Sequence, residues 1–431
     1  MTNCEPSHSL TSLDEWLSYL ETIHTTEIDL GLARIAVVAR RLSIDFSFAQ
    51  VVTVAGTNGK GTTCAFLEQA LFTEQRNVAV YSSPHIHRFN ERLRLNQREV
   101  SDQQLIEAFR VVEQVRGDIS LTYYEFTTLA AFVVLMQVRP QVIILEVGLG
   151  GRLDATNIID ANIAVVTTVD LDHQAFLGND KETIGIEKAG IFRAHTPAII
   201  GDSAAPRSVF KVAMQLNATI YARGTDFTLT KVGSHWQWQS AEYAFTGLHT
   251  GHVPMDNVAT ALMILQLLSI PLTVEHINQW LADTHVAGRM EYVQRQCSIL
   301  LDVAHNPQAA KYLAQQLAIR QQHYPQQRII ALVGMLADKD IYHSLQPLVP
   351  LVQQWFVTSL TVARAAKAEQ LQQVLVSLDV QQSRMNCFDN TSSAFKMAYN
   401  NASEQDLLLV FGSFYTVADI RQLLHNDLSN N

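Results

Sequence analysis

An α/β architecture with two parallel-sheet domains, the first carrying a small antiparallel sheet, is what this 431-residue sequence predicts. Three observations lead there. Apolar strand candidates recur at residues 51–55, 142–147, 163–169 and 198–200, and helical patterns separate the first three. Continuous apolar strands between helices belong in a parallel sheet covered on both faces. A second series of the same kind starts afresh at Ser298. Between them, from Thr219 to Val253, Phe227, Leu229, Trp236, Trp238, Tyr243 and Phe245 fall at two-residue spacings among Gly, Ser and Asn, which predicts the antiparallel piece.

Local signals place further elements. Residues 78–81 form a short strand. Ser101 with Gln104 has the form of a capping box, and Leu105, Phe109, Val112 and Val115 follow at helical spacing. The apolar stretches 129–138 and 261–270 are about half the ~20 residues needed to span a bilayer, so they read as buried helices. An Ala- and Leu-rich helix starts near Asn257. In the second series, strands at 299–303, 329–333, 355–358 and 407–411 each precede a helical pattern, about the extent of one doubly wound domain. Gly288 and the polar VQRQ stretch place the boundary within 288–298, giving domains 1–290 and 298–431.

Composition narrows the partners. At about 100–200 residues per domain, this length suits two or three domains. The sequence is 48% hydrophobic and 17% charged, with 31 Lys and Arg against 41 Asp and Glu, a net charge of -10. Without a block of basic residues, that balance argues against nucleic acid or an anionic membrane as the main partner. Small anions remain open, because a few local cations can outweigh a weak global field. The polar N-terminus carries Glu5 where a secretory signal needs an apolar core. Cys4, Cys64, Cys297 and Cys387 form no CxxC pair, so a cytoplasmic, reducing setting is expected. Cys64 follows a glycine-rich loop but reads as a packing residue.

That loop carries the chemistry. The strand at 51–55 runs into GTNGKGTT, residues 56–63, and then into a helical pattern. Glycines let backbone amides approach phosphate oxygens, the helix dipole points at them, and lysine adds a full charge. Gly56, Gly59 and Gly61 supply the turn, Lys60 the charge, and Thr62 or Thr63 a hydroxyl. The spacing departs from GxxxxGK[ST], since Gly61 stands where Ser or Thr is expected. The first domain is therefore of the P-loop ATPase type.

Ser83, Glu146 and His173 stand at the carboxyl ends of strand candidates, where open α/β sheets bind ligands. A carboxylate following VIIL is costly to bury unpaired. Lys60 alone does not balance a triphosphate, so a divalent cation is expected. Lys188, in IGIEKAGIF, reads from chemistry alone as a surface lysine. Buried near a metal, a neutral lysine can instead take up carbon dioxide and become a carbamate ligand.

Taken in order and spacing, GTNGKGTT, SPHIHRFNERLR, LTYYEFTTLAA, ILEVGLGGRLDATN, LDHQAFLG, IGIEKAGIF, LLDVAHNP and VFGSFYTVAD resemble the folylpolyglutamate synthases of the Mur ligase superfamily, over essentially the whole chain. The sequence is most similar to the bifunctional branch that also has dihydrofolate synthase activity. The resemblance implies that Gly59, Lys60, Gly61 and Thr62 hold ATP phosphates, with Asn257, Arg289 and Asp302 also contacting ATP. It implies that Ser83, Glu146, His173 and a carbamylated Lys188 bind Mg2+, and it marks Lys60, Lys188 and His173 as catalytic. Asp29, Leu30 and Gly31, with Thr122, Tyr123, Tyr124 and Glu125, would line a dihydropteroate pocket that Leu153, Asp154 and Ala155 complete. His305 and Ser413 would face L-glutamate. AGRMEY around Arg289 departs from the family, whose members usually show a proline before the glycine and an aromatic after the arginine.

The resemblance implies that L-glutamate is joined to 7,8-dihydropteroate, and further glutamates to reduced folates, through an acyl phosphate formed from ATP. The second domain would be a Rossmann-like glutamate-ligase domain, with the nucleotide between the two. A monomer is expected, and a monovalent cation is an open further cofactor. Three alternatives stand beside this reading: a folylpolyglutamate synthase without the dihydropteroate activity, a peptidoglycan Mur ligase, and a nucleotide-binding regulator without catalysis. IDLGL and TYYEF argue against the first. Gly61 after Lys60, with only about fifty residues before the loop, argues against the second. Simple ATP turnover separates the third.

Overall fold

The computed structural model describes residues 10–26 and 28–429, so Cys4 and Glu5 lie outside the described residues. The chain divides into two compact units, Met1–Thr284 and His285–Asn431.

The first unit is built on β1 (Gln50–Ala55), β2 (Val78–Tyr81), β3 (Leu93–Leu95), β4 (Arg98–Glu99), β5 (Val142–Glu146), β6 (Ile163–Val166), β7 (Pro197–Ile200) and β8 (Thr219–Ala222). They form one sheet in the order β4-β3-β2-β5-β1-β6-β7-β8. All pairs from β2 to β8 are parallel, and β3 and β4 add antiparallel turns at one edge. β1, β2, β5 and β6 are buried along nearly every residue, as strands covered on both faces must be. The helix Tyr123–Val138 buries residues all round from Glu125 to Leu135, which makes it a core helix. Phe126 and Phe132 on it are fully buried, each worth about 1.5–3 kcal/mol in apolar burial.

Two expectations about extent are corrected. The third strand ends at Val166 rather than 169, because Thr167 and Thr168 turn to bond the glycine-rich loop: Thr167 Oγ1 donates to the Asn58 carbonyl at 2.7 Å, and Asn58 N–H donates to Thr168 Oγ1 at 3.0 Å. The antiparallel piece also starts later than Thr219, since Thr219–Ala222 is the last parallel strand of the main sheet. The small sheet consists of β9 (Phe227–Val232), β10 (His235–Ser240) and β11 (Ala244–Leu248), in the order β11-β10-β9. Its inner face buries Phe227, Trp238 and Leu248. Trp238 Nε1–H donates to the Ala259 carbonyl at 3.1 Å, anchoring the sheet to the helix Met255–Leu267.

The second unit has β12 (Glu291–Gln294), β13 (Ser298–Asp302), β14 (Ile329–Val333), β15 (Gln354–Thr358), β16 (Met385–Phe388) and β17 (Leu407–Phe411), in the order β12-β13-β17-β14-β15-β16. All pairs are parallel except the first. Separate apolar clusters cover the two faces, as in a doubly wound domain. The division between the units lies just before the expected 288–298 break, because β12 pairs with β13 and carries that stretch into the second unit.

Candidate active site

The glycine-rich loop leaves β1 and enters the helix Lys60–Thr73. Gly59, the residue before that helix, has φ of 88°, a conformation that favours glycine. A Cβ there would also lie 2.5 Å from Asn257 Oδ1. Lys60 Nζ donates to the carbonyls of Gly56 and Thr57 at 2.9 and 3.3 Å, so the cation is held over the loop. Thr62 Oγ1 donates to the Gly59 carbonyl at 3.1 Å and accepts from Asn257 Nδ2 at 2.5 Å. Residues 59–62 and Asn257 thus form one cluster across 195 residues of sequence.

Glu146 ends β5 beside this cluster. Val54 and Glu146 are register partners, and a Cβ at Gly61 would lie 3.6 Å from Glu146 Oε1. A Cβ at position 61 would sit at ordinary contact distance from this buried carboxylate, so the helix start and Glu146 are direct neighbours. The strand below this helix is tied to it by a largely buried ion pair, Arg94 Nη2 to Glu68 Oε2 at 2.6 Å.

Lys188 is buried near the end of the helix Lys181–Ala189. Its amine is pushed down from its ordinary 10.5 to about 7, first by burial and then by the positive charge of Lys60, with Asp172 and Asp154 opposing. EVGLGGRLD explains how the lysine is held. A Cβ at Gly151 would lie 2.8 Å from the carbonyls of Glu187 and Lys188, and Arg152 N–H donates to the Glu187 carbonyl at 2.7 Å. The same loop therefore connects Glu146 to the backbone around Lys188. His173 sits at positive φ in the loop after β6, immediately before the short helix Gln174–Leu177, and its amide donates to Asp172 Oδ1. Ser83 precedes a cis proline after β2. Its side chain is near the buried Tyr124 hydroxyl, which makes no hydrogen bond of good geometry. Among the described residues, no group of three or more His, Cys, Asp or Glu is arranged to hold a metal ion. The expected set contains only two such residues, the others being a serine and a lysine.

The two segments expected to bind the pterin meet through Arg34, which sequence reasoning passed over although it lies in IDLGLARI. Arg34 Nη1 pairs with Asp29 Oδ2 at 2.5 Å, and Nη2 with Glu125 Oε1 at 3.2 Å. His24 Nε2 lies 3.3 Å from the same Asp29 carboxylate. Leu30 is half-buried, and nothing lies within 4 Å of where a side chain at Gly31 would begin. Thr122 caps the helix Tyr123–Val138: its hydroxyl accepts from Glu125 N–H at 3.1 Å, and Glu125 Oε2 accepts from Thr122 N–H at 2.8 Å. Tyr124 stacks on Tyr81 at 6.3 Å, and its phenol would be 2.8 Å from a Cβ at Gly148, the residue after Val147 in the glutamate loop. Leu153, Asp154 and Ala155 form the turn into a 3-10 helix. Asp154, whose pKa burial raises, accepts from Leu149 N–H at 2.9 Å and from Thr156 Oγ1 at 2.7 Å.

In the second unit, Asp302 ends β13 and accepts from Met290 N–H at 2.9 Å and Ala304 N–H at 2.8 Å. Burial raises its pKa and the charge of Arg289 opposes that. Arg289 lies over the Phe414 ring at 5.0 Å, and His305 lies 6.0 Å from the same ring. His305 Nδ1 donates to the Val303 carbonyl at 2.8 Å, which fixes the ring's orientation. Ser413 Oγ accepts from Tyr415 N–H at 3.1 Å. Arg289 and His305 therefore share the ring of Phe414, a residue the sequence reading quoted within GSFYTV without assigning, with Ser413 next to it in the chain and Asp302 in range of the Arg289 charge. These residues cluster at the carboxyl ends of β13 and β17, adjacent parallel strands, which is where doubly wound sheets bind ligands.

Comparison with known proteins follows this geometry. The chain matches the Mur ligase middle domain over residues 54–265 and the Mur ligase glutamate ligase domain over residues 288–414. It is 42% identical to the dihydrofolate synthase/folylpolyglutamate synthase of Escherichia coli (strain K12) over 412 residues, 96% of this chain and 95% of that one. An E. coli FolC structure in complex with DHPP and ADP superposes with a TM-score of 0.91 at 41% identity, covering 97% of this chain and 98% of the other. A bifunctional folylpolyglutamate synthase/dihydrofolate synthase from Yersinia pestis, complexed with AMPPNP and Mn ion, gives a TM-score of 0.89 at 44% identity, covering 96% and 98%.

Proposed function

The chain belongs to the dihydrofolate synthase/folylpolyglutamate synthase family of Mur ligases, and we propose how its residues carry out that family's ATP-dependent joining of a carboxylate to an amine. The substrates are 7,8-dihydropteroate or a reduced folate, with L-glutamate and ATP. One observation carries the residue assignment: the glycine-rich loop, Asn257 and buried Glu146 form a single cluster, with the charge of Lys60 acting on buried Lys188.

Amides at residues 59–62 and the Lys60 ammonium bind the phosphates, and Asn257 holds Thr62 and the loop in place. In the second unit, Arg289 and Asp302 contact ATP, while His305 and Ser413 receive L-glutamate. The substrate carboxylate attacks the γ-phosphorus, ADP leaves, and an acyl phosphate forms. The glutamate amine then attacks the acyl carbon, loses a proton, and phosphate departs as the amide forms. Such transfer depends mainly on positioning and charge neutralisation.

A hydroxyl, a buried carboxylate, an imidazole and a lysine amine brought near neutrality make a hard oxygen and nitrogen donor set that suits Mg2+ or Mn2+. Ser83, Glu146, His173 and Lys188, the last as its carbamate, would hold the ion. A bound divalent cation supplies charge compensation for the phosphates. Asp29, Leu30, Gly31, Thr122, Tyr123, Tyr124, Glu125, Leu153, Asp154 and Ala155 are assigned to the pterin.

The direct test measures ADP release with dihydropteroate and with tetrahydrofolate, each with and without L-glutamate. Release that needs both glutamate and either pterin substrate is expected. Turnover with tetrahydrofolate alone among the pterins leaves a folylpolyglutamate synthase, and no dependence on either sinks the reading.

A further inference from the structure

Arg92 closes the 3-10 helix Phe89–Arg92 in the loop that begins at Ser83. Its guanidinium lies 5.3 Å from the Phe89 ring centroid and 5.7 Å from that of Tyr123, a residue of the pterin wall. Nε donates to His85 Nδ1 at 2.9 Å, while both terminal nitrogens lack a protein acceptor among the described residues. Guanidinium carries five N–H donors, so most of its capacity is unspent.

The neighbouring carboxylates are engaged elsewhere. Glu91 accepts from the amides of Ile86, His87 and Arg88 at 2.7, 2.7 and 2.8 Å, closing the loop on itself. Asp102 pairs with Arg88 at 2.9 Å and accepts from Asn90 Nδ2 at 2.8 Å. His85 accepts from Nε through Nδ1 and carries no negative charge to balance the guanidinium. A half-buried cation on the platform of Phe89 and Tyr123, with its terminal donors free, is a receptor for an anion.

We infer that Arg92 is the counter-ion for a carboxylate of the pterin substrate, taking it through its terminal nitrogens and so positioning it. This rests on the functional reading above. The planar fork of arginine matches a carboxylate in a way a lysine does not.

The test compares binding of 7,8-dihydropteroate, its carboxylate-free analogue and tetrahydrofolate to the intact protein, to Arg92→Gln and to Arg92→Lys. AMPPNP affinity is measured beside each, and it also reports on folding. Arg92→Gln should weaken dihydropteroate by about ten- to a hundredfold, the range for losing a charge-assisted hydrogen bond. The analogue and AMPPNP should bind nearly as before, and Arg92→Lys should fall between. Loss confined to tetrahydrofolate supports the inference and places its glutamyl tail, rather than the arylamine carboxylate, on Arg92. Equal loss of dihydropteroate and its analogue overturns the inference, as does loss of AMPPNP alone or no loss at all. If the intact protein binds AMPPNP but no pterin, the functional reading itself fails; if it binds the pterins and Arg92→Gln matches it, only this inference does.

Discussion

Lys188 shows how a single residue can be stabilising for chemistry and costly for the fold. Its amine is buried, with a pKa near 7 against the ordinary 10.5. Because the folded value is the lower one, the unfolded chain binds more protons across that window, and stability rises with pH from about 7 to 10.5. Below that window the cost of burying Lys188 is complete. Lys188→Met should therefore raise stability near pH 6 by a few kcal/mol, at about 1.4 kcal/mol per pKa unit, in bicarbonate-free buffer. The gain should shrink towards zero as pH approaches 10.5. Urea midpoints across pH measure this, and a gain independent of pH would show that lost charge is not its origin. Activity should move the other way. Lys188→Ala should lose most turnover, and a small added carboxylate should restore part of it if a carbamate is the working form. Full turnover in the unsupplemented variant would sink the carbamate.

Secondary-structure elements here carry two duties at once, and the helix Tyr123–Val138 is the clearest case. Thr122 and Glu125 close its first turn as a capping box, while Glu125 also receives Arg34 from the other pterin segment. Thr122→Ala should cost about 1 kcal/mol of stability, the usual loss of an N-cap. It should also raise KM for dihydropteroate while leaving KM for ATP unchanged. A stability loss with an unaltered dihydropteroate KM would make Thr122 a cap and nothing more. The Ser101 capping box, the strands at β2, β14 and β17 and the phosphate turn were legible in sequence, because each is determined by neighbours within a few residues. What escaped was set by distant partners. β8 was grouped with the antiparallel piece because its parallel pairing to β7 leaves no mark on its four residues. β16, with its MNCF sequence at a sheet edge, lacks the apolar run of a central strand. Arg34, Arg92 and Phe414 lay inside motifs already noticed, but their partners at Glu125, Tyr123 and Arg289 are fixed only by the fold.

At the scale of the whole molecule, a net charge of -10 coexists with a function that handles anions, so cations must act locally. Lys60, Arg34 and Arg92 in the first unit and Arg289 in the second lie at the proposed substrate positions rather than in a basic surface field. The two units also have separate apolar cores. Heat-capacity scans should therefore need two transitions, since a chain with independent cores departs from two-state unfolding. The glycine-rich loop and the proposed ion ligands all belong to the first unit. AMPPNP with Mg2+ should stabilise that unit by about 2.7 kcal/mol at a hundredfold excess over Kd. Chelating the divalent ion should remove most of the shift, because Lys60 is then the only cation among the first unit's proposed nucleotide ligands. A shift of equal size in the chelator would mean that the ion takes no part in holding the nucleotide. A single transition with equal calorimetric and van't Hoff enthalpies would mean that the two cores unfold as one.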